Sequence, residues 1–124
     1  MSKHTEEIEA LIVERCSVWQ SRLGLDHWLI ELVFLDTNHP DDTDDGQRTP
    51  AECKPSWAHL RATIDWYIPT IASYEDDYLD QLALHEMAHV LLASEQDCIK
   101  PSCAQQMELA TEMVARALRK AYLP

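Results

Sequence analysis

The segment LALHEMAHVLLAS, residues 82–94, limits what this chain can fold into more than any other stretch. Leu82, Leu84, Val90 and Leu91 mark a buried helix, and His85, Glu86 and His89 stand inside it. Ionisable groups in an apolar helix carry a burial cost unless they are partnered. The rest of the chain must therefore bring something to this face. Residues four apart share one side of a helix. His85 and His89 can thus grip one metal ion, at about 2.0–2.1 Å for zinc. Glu86 is turned off that axis by about 100°. It can reach water at the metal without taking a coordination position. The pattern is HExxH, whose chemistry is metal-assisted hydrolysis with the glutamate as general base.

A catalytic zinc needs a third protein ligand. An HExxHxxGxxH site requires glycine at 92 and histidine at 95, where this chain has Leu92 and Glu95. No histidine follows His89, so a downstream third ligand must be a carboxylate or thiolate. The last predicted helix, about Ser102–Tyr122, offers Glu108 and Glu112 one turn apart. A helix hairpin through residues 94–101 would lay them against His85 and His89. Either can be the ligand. The other can hold a histidine ring through its second nitrogen, and Glu112–Arg116 is also a possible surface ion pair.

The remaining pattern predicts an α+β fold in a single domain over residues 1–124. Apolar residues from Ile8 to Leu23 recur at helical spacing, giving an N-terminal helix over 4–23 with Thr5 as cap and Gly24 as stop. Trp28, Ile30, Leu32 and Phe34 alternate as one face of a strand. Residues 37–56 read as a polar, proline-punctuated loop. Trp57–Ile68 reads as a second strand, antiparallel to the first in a small sheet. The HExxH helix is predicted over 75–93, followed by a short loop. Ser102 and Gln105 have capping-box spacing at the last helix. Trp19, Trp28, Trp57 and Trp66 are expected in the core, with Trp57 or Trp66 as alternative cleft residues. His4, His27, His39 and His59 are expected on the surface or strands.

HExxH followed some twenty residues later by ExxxE resembles the gluzincin branch of zinc metallopeptidases. The run from Glu108 through Glu112 to Leu118 is similar to the C-terminal helix of small, phage- or prophage-encoded HExxH proteins, the minimal gluzincins. In these a strand with a Trp-x-Ile core, as at Trp28–Ile30, precedes the site. The resemblance implies a zincin-like fold and a Zn2+ cofactor held by His85, His89 and Glu108, with Glu112 in support. It implies a peptide or protein substrate, laid along a sheet edge assigned to Trp57–Ile68, and Glu86 as proton carrier. A catalytically weak or inactive zinc protein that binds a host or phage partner is the alternative. The larger relatives add a histidine or tyrosine that steadies the oxyanion. Here Tyr67, Tyr74, Tyr78 and Tyr122 are the available choices.

Asp41, Thr43, Asp45, Thr49 and Glu52, with Gly46 at the sixth position, fit the spacing of a calcium loop. Threonine is a poor ligand, and Pro40 and Pro50 do not suit flanking helices, so a solvated acidic loop is the first reading. The net charge of −12 repels phosphate backbones and argues against nucleic acid. The charge serves solubility on the first reading, and on the second it would steer a basic peptide or protein segment toward the surface. No apolar run reaches the ~20 residues of a membrane span. The N-terminal residues lack a signal-peptide core, so a cytoplasmic protein is expected. Cys16 is expected in the core. Cys98 and Cys103 are expected as free thiols, with a local bridge as the alternative.

Overall fold

A computed structural model of the chain describes residues 5–43, 46, 48–98 and 100–122. Helix α1, Thr5–Arg22, buries Ile8, Ile12, Cys16 and Trp19 along one side, as their spacing predicts. Gly24 follows in the left-handed region at φ 72°, a conformation that a side chain would penalise. Strand β1, Leu29–Leu35, turns Ile30, Leu32 and Phe34 toward the core.

The sheet differs from the expected antiparallel pair. It has three strands in the order β1-β3-β2. β3, Arg61–Tyr67, runs parallel to β1, from Leu29 opposite Arg61 to Leu35 opposite Tyr67. The added strand β2, Ala51–Ser56, lies in the predicted loop and pairs antiparallel with β3, Ala51 opposite Trp66 and Ser56 opposite Arg61. β2 sits at an edge, where Pro55 is tolerated because one side of the strand needs no ladder donor. Trp57–His59 form a tight helical turn, and Leu60, at φ 52°, reverses the chain into β3.

Two expectations are corrected by this turn. Trp57 is 45% exposed, so it is not a core residue, whereas Trp19, Trp28 and Trp66 are buried. β3 is the central strand, so Trp57–Ile68 offers no open edge; the edges are β1 and β2.

A short helix α2, Ile68–Ile71, leads to α3, Asp76–Leu91. Leu79, Ala83, Leu84, Met87 and Ala88 of α3 are fully buried in the core that α1 and β3 share. Asp80 ties three helices together. Its carboxylate accepts hydrogen bonds from Trp19 Nε1 (2.9 Å) and Arg15 of α1 and from Arg119 Nε (3.0 Å) near the C-terminus. Arg119 also pairs with Asp77.

The predicted 94–101 loop holds a helix, α4, Ala93–Asp97, and Pro101–Cys103 form a second tight turn. Ser102 lies inside that turn rather than capping helix α5, Ala104–Tyr122. Only Thr111 and Ala115 of α5 are buried. Cys16 is buried, and Cys98 and Cys103 are free and exposed, so no bridge joins them.

Candidate metal centre

α3 presents His85 and His89 on one side, with ring centroids 4.8 Å apart and planes at 78°. α5 packs across α3 and brings Glu108 between the two rings. Glu108 Oε1 lies 2.7 Å from His85 Nε2, and its Oε2 lies 3.1 Å from His89 Nε2. One helical turn on, Glu112 Oε2 lies 2.6 Å from His85 Nδ1. Its other oxygen accepts from Arg116 Nε at 3.1 Å. Gln96 of α4 holds the far side of His89, with its amide nitrogen 2.8 Å from Nδ1.

His85 is therefore clamped by carboxylates through both ring nitrogens. Burial alone would lower its pKa. The hydrogen bond to Glu108 and the charges of Glu86, Glu108 and Glu112 outweigh that and raise it to about 9. Hydrogen bonds from His85 and His89 hold Glu108 well below the usual carboxylate range, against the opposing effect of burial. Glu86 behaves differently. It is 2% exposed, and burial pushes its pKa up to about 7 against the pull of His89 and His85. Its Oε1 is buried without a hydrogen-bond partner.

His85, His89 and Glu108 form a group that could hold a metal ion, with one donor atom from each lying within 4.8 Å of the others. The chemistry of the set fits zinc, which takes imidazole nitrogen and carboxylate oxygen. The support around it fits as well. Ligating histidines usually donate their second nitrogen to a carboxylate or carbonyl. Glu112 accepts from His85 in that way. With its amide rotated so that oxygen faces Nδ1, Gln96 does the same for His89. The unpartnered Glu86 oxygen also fits, since a buried polar atom without a partner is uncommon.

A cavity of about 510 Å3 opens on this group, lined by His85, Glu86, Glu108 and Glu112 and by Arg48–Ala51 and Tyr78. Of the four tyrosines weighed from the sequence, Tyr78 is the one in this lining. Tyr67 stands edge-on to His39, Tyr122 edge-on to Trp19, and Tyr74 edge-on to Tyr78.

The second metal motif is not assembled in the same way. Glu52 lies on β2 with its carboxylate 3.1 Å from His39 Nε2. The Thr49 amide donates to Asp42 Oδ1 at 2.8 Å, and Asp41 and Thr43 are exposed. Asp45 lies outside the described residues, as does His4. The segment leads into a strand rather than a helix. Among the described residues, His85, His89 and Glu108 are the group found with metal-holding geometry. His27 and His59 are exposed and His39 is half-buried.

Gln96 and Arg48 were not singled out from sequence; Arg116 was read only as a surface partner of Glu112, a pair present at 3.1 Å. Gln96 follows His89 by seven residues, two turns along one helical face, and that spacing was its available signal. The break at Leu92 hides it. No protein-family model, curated protein or solved structure gives a significant match to the chain. No helix among the described residues is long and apolar enough to cross a membrane.

Proposed function

We propose that this protein is a zinc-dependent peptidase of the gluzincin type. The observation that carries the reading is the His85–His89–Glu108 group beside a buried Glu86 carboxylate whose Oε1 has no partner. His85, His89 and Glu108 would hold the ion, Glu112 and Gln96 would orient the two rings, and the cavity would admit a peptide. Zinc, when bound, supplies Lewis acidity that acidifies water and polarises a carbonyl. Glu86 then takes the proton from the attacking water and returns it to the leaving amine. Glu86 follows His85 directly on α3 and lines the same cavity, which puts its carboxylate within the site for both halves of that exchange. Tyr78 is the cavity tyrosine available to steady the developing oxyanion.

The test is Glu86→Gln assayed on a fluorogenic peptide library, with and without chelator, beside metal analysis. Zinc content should persist while chelator-sensitive cleavage disappears. Cleavage retained by the variant would reject the general-base role, and normal zinc content in His85→Ala would reject the ligand role. A second reading, a zinc protein that grips a peptide partner without cutting it, is favoured by the 2% exposure of Glu86. It calls for peptide binding with no cleavage in the wild-type protein.

A further inference from the structure

Acidic residues outnumber Lys and Arg by 22 to 10 in this chain, so most cations should find a partner. Many do. Arg15 and Arg119 bind Asp80, Lys54 binds Asp65, and Arg22 stacks on Trp19 and Tyr122. Among the described residues, Arg48, Arg61, Lys100 and Lys120 have neither an acidic nor an aromatic partner. Three of these four line cavities around the candidate metal centre.

Arg48 lines the 510 Å3 cavity with His85 and Glu86. Lys120 lines an adjoining cavity of about 410 Å3, which shares Gln81, Glu112 and Arg116 with the first. Lys100 lines a cavity of about 240 Å3 on the other side, with His89 and Glu108. Glu108 lines both the His85 and the His89 cavity, so an extended chain crossing the metal group would pass from one to the other. Arg116 adds to the first. Its Nε is bound to Glu112, but its side chain is 78% exposed, which leaves its terminal nitrogens open to the cavity.

We infer that this cleft selects peptides bearing a carboxylate, held on the His85 side by Arg48 and Arg116. The inference rests on the peptide-binding reading above and narrows it to a substrate class. Guanidinium groups match carboxylates with paired hydrogen bonds. The acidic surplus does not oppose this at contact range, because surface charge is screened beyond about 8 Å at physiological salt. Of the acids lining the same cavity, Glu86 is only 2% exposed, Glu112 is already bound to His85 and Arg116, and Glu108 to both histidines. Arg48, which has no acidic partner among the described residues, and the exposed end of Arg116 beyond its Nε bond to Glu112 therefore face the incoming chain. The carboxylate can come from an Asp or Glu side chain or from a C-terminus.

The experiment measures binding rather than turnover. Zinc-loaded Glu86→Gln protein is titrated into labelled peptides, read by fluorescence anisotropy. The peptides are matched sets carrying Glu or Gln at each position, each with a free or an amidated C-terminus. The acidic peptide should bind about tenfold tighter than its neutral isostere. Dependence on the Glu set assigns a side-chain subsite, and dependence on the free terminus assigns a C-terminal one. Arg48→Gln and Arg116→Gln, each checked for unchanged zinc content, should lose the preference. Arg61→Gln, an unpaired cation away from the cavities, should keep it. Equal binding of acidic and neutral peptides, or a preference that survives both cleft variants, overturns the inference while leaving the peptide-binding reading intact. No binding of any peptide overturns both.

Discussion

Replacing Glu86 by glutamine should change how the metal-free protein responds to pH, in a direction opposite to the usual carboxylate. Glu86 is buried and its pKa rises from 4.5 to about 7. Between those values the folded state keeps the proton while the unfolded chain loses it. The stabilisation from that proton is complete below pH 4.5 and is lost as pH rises through 7. At 1.36 kcal/mol per pH unit, the whole effect is about 3 kcal/mol, of which about 2 kcal/mol falls between pH 5.5 and 8.5. The amide introduced by Glu86→Gln is neutral throughout, so any fixed cost of burying it is the same at both pH values. Urea unfolding of chelator-treated protein, followed by tryptophan fluorescence, gives the two stabilities. The wild type should lose about 2 kcal/mol relative to the variant over that range. Zinc should shrink the loss, since a nearby cation favours the ionised carboxylate. Parallel pH profiles in the metal-free proteins would refute the claim that burial holds the Glu86 pKa above its ordinary value.

Glu108→Gln should lower zinc occupancy far more than Glu112→Gln. Loss of the outer support should cost about 10- to 100-fold in affinity, which competition with a chromogenic chelator measures. Asp80→Ala should destabilise the protein by about 3 kcal/mol or more, because it strands the half-buried Arg119 and Arg15 and a buried indole N–H. Burial alone would raise the pKa of Asp80, but hydrogen bonds from Trp19, Arg119 and Arg15 bring it below its ordinary value. Its contribution should accordingly be full above pH 3.8 and fade as acid titrates it, and Asp80→Ala should flatten that acid limb in a denaturation series. Tyr78→Phe should lower kcat on any cleaved peptide while leaving zinc content and peptide affinity nearly unchanged, and an unaltered kcat would remove Tyr78 from the reaction.

The helical parts and the metal group were legible because their spacing carries the information. His85 and His89, like Glu108 and Glu112, are each one turn apart, and a short connection between the helices leaves few ways to pack them. The sheet was less legible. AECKPS has only two apolar residues and a proline, as suits an edge strand, and so it reads as loop. A connection of about 20 residues without structure was itself a warning, and recognising a strand there would have made the parallel pairing of β1 and β3 natural. Gln96 was hidden for a different reason: its position depends on how the chain turns at Leu92, which local pattern does not encode. Arg48 depends on long-range placement in the same way.

Helix α5 buries only Thr111 and Ala115, with Leu118 packed against the core and Tyr122 edge-on to Trp19. Ion pairs add to this hold: Arg119 to Asp77 and Asp80 toward one end, Glu108 and Glu112 to the histidines toward the other. A helix with so few buried residues opens at a lower free energy than the core. A metal shared between α3 and α5 would be a cross-link between a rigid element and a loosely seated one. Zinc, if it is the ion held, would then govern how often the C-terminal helix lifts away, and the zinc-free protein would include a population with Glu108 swung clear of the histidines and α5 exposed to proteolysis.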